Sequence, residues 1–178
     1  MTPPPVHRLR ALSLDEAVAI ITGTFKAAAA HKCSPLSAII LDAGGRIKAF
    51  HKQDGCSMLR FEVCRGKAYG ALAMGRASRM VLQKAREKPL FMQSLETMAD
   101  SPMFLEGGGQ LIRDPDTGEV VGAVGVTGDV NEMDDICAIE GIHAAGYKSD
   151  YDFDAEDEHR LKIVKAGPLT DPRKPGNR

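Results

Sequence analysis

Two segments of this sequence carry the marks of β-hairpins, and they fix the fold class more firmly than anything else in it. The first is the apolar run PLSAIIL (Pro35–Leu41). It is followed by the turn residues Asp42-Ala43-Gly44-Gly45 and a return strand, RIKAFH (Arg46–His51), in which polar and apolar side chains alternate. The second pairs QLIRD (Gln110–Asp114) with EVVGAVGVTG (Glu119–Gly128) across Pro115-Asp116-Thr117-Gly118. Hairpins pair antiparallel. With helical periodicity before, between and after them, the chain is expected to be α+β, a mostly antiparallel sheet with helices packed on it.

Ser13 and Glu16 stand at the S-x-x-E spacing of a capping box and open a first helix that runs to roughly Ala30. Leu14, Ala17, Val18, Ile21, Phe25 and Ala28 recur at helical spacing and predict its buried stripe. After the first hairpin, Phe61, Cys64, Ala68, Ala71 and Leu72 share a helical face, with Gly66, Gly70 and Gly75 interrupting. Each glycine costs about 1 kcal/mol against alanine in a helix interior. Close approach of a neighbouring backbone is therefore expected at all three. Further helical pieces cover Ala77–Arg86 and the region of Phe91, Leu95 and Met98. A last helix runs from about Asn131 to Ala145, with Gly146 as its C′ residue.

A chain of 178 residues suffices for one domain. That domain is expected over residues 12–146, after a flexible proline-rich arm (1–11) and before a charged extension (147–178) containing proline and glycine. Residues 150–158 hold six acids in nine positions, so the extension is expected to be disordered or laid across a partner subunit. Lysine and arginine total 23 against 24 acids, which leaves no electrostatic footprint for nucleic acid or anionic membrane. With no tryptophan there is little for a base-stacking platform. No apolar run approaches the roughly 18 residues of a membrane helix, and the first ten residues lack a signal peptide's apolar core. The four cysteines, Cys33, Cys56, Cys64 and Cys137, form no C-x-x-C pair. A cytoplasmic protein with reduced thiols is expected, and disulfide formation outside the cell is the alternative.

Several motifs together resemble one family. They are LDAGG (Leu41–Gly45), Gln53-Asp54-Gly55, Lys67-Ala68, the triplet Gly107–Gly109 ahead of a strand ending GAVGVTG (Gly122–Gly128), and Asp134-Asp135-Ile136-Cys137-Ala138-Ile139-Glu140-Gly141. From Leu12 to Gly146 the chain is similar to the haem-degrading and haem-binding family that includes the GlcG-like proteins and the C-terminal domain of some cobalamin adenosyltransferases. The resemblance implies a profilin-like arrangement with about five strands, assembly into a homo-oligomer, and haem or another tetrapyrrole as ligand. It also implies an accessory role in a catabolic operon. Two departures stand out: Gln110-Leu111 follows the triplet where a proline-containing segment is usual, and the extension after Tyr147 is long.

Haem ligation needs an imidazole, thiolate, thioether or phenolate facing an apolar cleft. His51 ends a strand close to Asp54 and is the candidate axial ligand, although a solvated strand-end histidine fits the sequence as well. His31 suits a helix C-terminus, and Glu140 and His143 share a helix face. Gly107, Gly108 and Gly109 can present backbone N–H groups to an anion, or simply make a bend of positive φ. Lys67 is the candidate ligand-binding and catalytic lysine, which the family pattern places at the pocket. A snorkelling side chain would serve the same position. Asp129, Glu132, Asp134 and Asp135 surround a helix N-terminus, where the dipole explains most of them. Two functions from different classes follow. One is a haem- or tetrapyrrole-binding protein that supports haem degradation. The other is a small-molecule catabolic enzyme performing proton transfer, hydrolysis or decarboxylation of a carboxylate-bearing substrate with Lys67 and the triglycine loop.

Overall fold

The computed structural model describes residues 10–174, so most of the expected N-terminal arm (1–9) and the last four residues of the extension lie outside the described residues. Helix α1 (Leu14–Ala30) opens on the expected capping box. Glu16 N–H donates to Ser13 Oγ, and Ser13 N–H donates to Glu16 Oε2. Its buried face is Ala17, Ile20, Ile21, Thr24, Ala27 and Ala28, rotated from the expected stripe: Leu14 is 58% exposed, and Val18 and Phe25 are half-buried. The cause is the neighbour. Helix α5 (Asn131–Ala144) lies so close along α1 that a Cβ added at Gly23 would meet Ala144 Cβ at 2.6 Å, and one at Gly141 would meet the Ile20 carbonyl at 2.6 Å.

Both hairpins form and join into one antiparallel sheet. Strands β1 (Ser37–Asp42), β2 (Ile47–Lys52), β3 (Gly109–Arg113) and β4 (Val120–Thr127) lie in the order β2-β1-β4-β3. The sheet thus has four strands rather than the expected five. The place beside β3 is taken by a single bridge between Arg113 and Lys148. The chain then turns into a 3-10 helix at Asp150–Asp152, because the Arg113 side chain holds the Asp150 carboxylate and Ser149 caps the turn. Period-two alternation sorts the central strands between two cores. Ala38, Ile40, Val124 and Val126 pack under α1 and α5, whereas Ile39, Leu41, Leu111 and Ala123 pack under helix α2 (Arg60–Met74).

The glycines of α2 divide by role. Gly66 meets the Phe104 backbone closely, as expected, but a Cβ at Gly70 would make only ordinary contact with the Met103 side chain at 3.5 Å, and Gly75 takes φ +62° as the left-handed C-cap of the helix. Helices α3 (Ser78–Glu87) and α4 (Pro89–Met98) follow and enclose a small cluster of Val81, Met92 and Met103. The extension does not behave as a loose tail over its first part. Tyr147, Ser149, Asp150, Phe153 and Ile163 are buried, Asp154 caps a short helix α6 (Ala155–Leu161), and the Arg113 guanidinium lies 5.9 Å from the Phe153 ring centroid. Apolar residues spaced among the acids dock this segment on the edge of its own sheet. Among the described residues no helix is long and apolar enough to cross a membrane.

Candidate functional site

Lys67 lies on the face of α2 that packs against the sheet, and it is 1% exposed. Its Nζ donates to Asp134 Oδ2 at 2.9 Å and to the Val126 carbonyl at 3.1 Å. Asp134 belongs to the first turn of α5, on the other side of the sheet, so the pair joins the two layers past the beginning of β3. Glycine is required where it passes. A Cβ at Gly108, whose φ is +107°, would stand 2.9 Å from Asp134 Cβ and 3.1 Å from Lys67 Nζ.

The rest of the triplet is engaged in the same cluster. Gly108 N–H donates to Asp135 Oδ1 at 2.6 Å, and Gly109 N–H donates to Ser78 Oγ at 2.8 Å. Asp135, fully buried, also accepts from Gln110 Nε2 at 2.7 Å and from Arg79 Nε at 2.8 Å. Arg79 in turn reaches Glu132 at 3.1 Å. Burial raises the Asp134 carboxyl to about 6, against the pull of the Lys67 ammonium. Burial pushes Asp135 up as well, opposed by Arg79 and the Gly108 N–H. The cluster fastens α2, α3, the glycine loop, β3 and α5 together, and it spends the donors of Lys67, Gly108 and Gly109 internally.

The structure therefore brings Lys67 and Gly107–Gly109 together and leaves Asp54 and His51 elsewhere. Those two belong to the region of β2, at the opposite edge of the sheet, and both are exposed. Ser78, Arg79 and Gln110, which complete the Lys67 cluster, carry no motif in the sequence. Asp134 and Asp135 did offer a signal: the two acids are set between Met133 and the buried Cys137 and Ala138, on a helix with an apolar face.

The histidines separate by their partners. His31 pairs with Glu140 at 2.7 Å and His143 with Asp152 at 2.7 Å, so the Glu140–His143 spacing does not act as a unit. His51 projects from β2 opposite Ala38 with no hydrogen bond or ion pair among the described residues. Just beyond it, a concavity of about 420 Å³ is lined by Ala28, Ala29, Cys33, Pro35, Gln53 and Asp54. Among the described residues no three histidine, cysteine or acidic side chains converge as a metal site.

No curated protein matches the sequence significantly. The fold is similar to solved structures of low identity. One is described as a PduOC:heme complex, at 22% identity and TM-score 0.68, covering 79% of this chain and 99% of that one. Another is the Klebsiella pneumoniae protein ORFY, at 18% identity and TM-score 0.69, covering 82% and 98%. A third is a double mutant of Streptomyces reticuli HbpS, at 17% identity and TM-score 0.66, covering 80% and 92%. At the level of sequence, the family described as "Haem degrading protein HbpS-like" matches residues 12–143. The chain belongs to this HbpS-like family.

Proposed function

We propose that this protein binds haem or a related tetrapyrrole, with His51 as an axial ligand. Family membership and the haem complex of a structural relative support the ligand class. The single observation that supports the residue is its place: among the described histidines His51 alone stands on the sheet, and, like His159 on α6, its imidazole is exposed and without a side-chain partner. An imidazole of that kind offers a nitrogen to iron without first breaking an ion pair. The apolar wall of Ala28, Ala29 and Pro35 adjoins the strand end, whereas Lys48 and Lys52 alternate to the other face of β2, where Lys52 Nζ donates to the Ser57 carbonyl. When bound, haem supplies redox-active iron. The chain's part is to ligate it and shield one face.

Titration with haemin, followed in the Soret region, tests this assignment. A saturable band with one haem per chain is expected, and His51→Ala should shift the band and weaken binding at least about tenfold, which is about 1.4 kcal/mol. An unchanged band and affinity in His51→Ala would remove the residue. Addition of a reductant in air tests degradation, which would appear as loss of the Soret band over time. The catabolic-enzyme alternative would require the buried Lys67–Asp134 pair to separate before either group met a substrate, and the geometry opposes that.

The same proposal includes a homo-oligomer in the cytoplasm. Leu90 (77% exposed), Met98 (72% exposed) and Phe91 present apolar surface on α4, and such surface favours association. Light scattering should give a mass well above the 19.1 kDa of one chain. A monomer at micromolar concentration would contradict the expectation.

A further inference from the structure

We propose that Cys33 and Cys137 are a redox-active dithiol that closes to an intrachain disulfide under hydroperoxide. Their sulfur atoms are 3.9 Å apart although the residues are 104 positions apart in sequence. Cys33 sits in the loop that leaves α1, and Cys137 is on α5.

Two polar clamps hold these segments together on either side of the thiols. His31 Nε2 meets Glu140 Oε1 at 2.7 Å, and Ser34 N–H donates to Asp129 Oδ2 at 2.7 Å. The loop is also fixed to its own helix, since Cys33 N–H donates to the Ala28 carbonyl at 2.9 Å. Closure to a bond of about 2 Å thus asks for a small movement of side chains between segments that already stay in register.

The two sulfurs have different access. Cys137 is fully buried, whereas Cys33 is part-exposed and lines the concavity of about 420 Å³ beside Gln53 and Asp54. Cys33 is therefore the sulfur that meets an oxidant, and Cys137 is the one that resolves it. Burial holds both as thiols at neutral pH, so the pair responds slowly rather than turning over as a peroxidase. Cys64 is a poor competitor: it is buried and donates to the Ser37 carbonyl.

The chemistry balances with a hydroperoxide as the two-electron oxidant. Cys33 loses its proton and attacks a peroxide oxygen; the O–O bond breaks, and the leaving oxygen takes a proton to depart as water or alcohol. The resulting sulfenic acid is attacked by Cys137 sulfur, which gives up its proton as the S–O bond breaks and water leaves. Two thiols are oxidised to one disulfide while the peroxide is reduced. The product ties α1 to α5, the closely packed layer beneath the sheet. This proposal does not depend on haem binding.

The test uses the full-length, haem-free protein treated with hydrogen peroxide, then unfolded, alkylated and mapped without reduction. Half of the four free thiols should disappear, a linked Cys33–Cys137 peptide pair should appear, and dithiothreitol should restore all four. Cys56 and Cys64 should remain alkylatable, and the oxidised protein should melt at a higher temperature than the reduced one. In Cys137→Ser, Cys33 should stop at sulfenic or sulfinic acid, and in Cys33→Ser Cys137 should remain reduced. Recovery of wild-type Cys33 as sulfinic acid beside a reduced Cys137 would overturn the proposal. So would a bond from Cys33 to Cys56 or to a second chain. Because the wild-type map decides the matter by itself, a variant that folds poorly does not obscure the outcome.

Discussion

Lys67→Met is expected to destabilise the protein by about 3–5 kcal/mol, the cost of leaving one member of a buried ion pair without its partner. Lys67 and Asp134 side chains are 1% and 2% exposed, so water cannot replace the lost ammonium. The loss should be repaired to a large extent in Lys67→Met/Asp134→Asn, where the remaining amide is neutral and still accepts the Asp129 N–H now bonded to Asp134 Oδ1. Urea denaturation of the two single variants and the double variant measures the coupling directly. A double variant as unstable as the sum of the singles would show that the charges do not act as a pair.

The same pair carries a pH signature. Burial pushes the Asp134 carboxyl up to about 6, above the usual aspartate range, so the folded chain holds this proton more tightly than the unfolded one. Its contribution favours the fold below about pH 4 and is lost as pH rises through 6. Without Lys67 the carboxyl moves higher still, and the window extends upward. The cost of Lys67→Met should therefore be largest at neutral pH and shrink as pH falls toward 5. Asp114, Glu132 and Asp152 have the opposite sign, with lowered values and stability lost on acidification, but they act equally in both proteins and cancel in the difference.

How far the sequence revealed this arrangement depended on whether a feature was local. The hairpins and the α1 cap were legible because turn residues and the Ser13–Glu16 spacing act within a few positions. The buried face of α1 was not, because Thr24 and Gly23 are small or polar and become interior only when Gly141 lets α5 approach. The acids of α5 read as ordinary helix-dipole residues; their apolar neighbours Met133, Cys137 and Ala138 point Asp134 and Asp135 inward, but nothing local names Lys67 and Arg79 as their partners. Composition correctly showed the segment from Asp150 as acidic. It concealed that Tyr147 joins the core under α1 and α5 and that Phe153 and Ile163 are also buried, with Arg113 of β3 beside the Phe153 ring and holding Asp150. The family resemblance supplied the juxtaposition of Lys67 with the glycine triplet, but it carried no information about which donors the fold consumes.

Gly125→Val is expected to cost more than 3 kcal/mol, and Gly125→Ala about 2–3 kcal/mol, because the obstacle is backbone and cannot rotate away. Gly125 of β4 lies directly opposite Gly109 of β3, and together they make a flat floor on which α2 rests. A Cβ at Gly125 would overlap the Cys64 carbonyl and stand 3.0 Å from Ala68 N. One at Gly109 would overlap the Lys67 carbonyl and stand 2.8 Å from Ser78 Cβ. Either substitution must lift the helix, and lifting it withdraws Cys64, Ala68 and Ala71 from the core they fill and pulls Lys67 from Asp134. Gly75→Ala is the control: it introduces φ strain at +62° with nothing within 4 Å of the new carbon, so it should cost only about 1 kcal/mol. Gly109→Ala/Gly125→Ala should fall short of the sum of its singles, since a helix already raised by one methyl group has room for the second. Equal costs at Gly75 and Gly125 would mean that conformational freedom, rather than the seating of α2, is what these glycines provide.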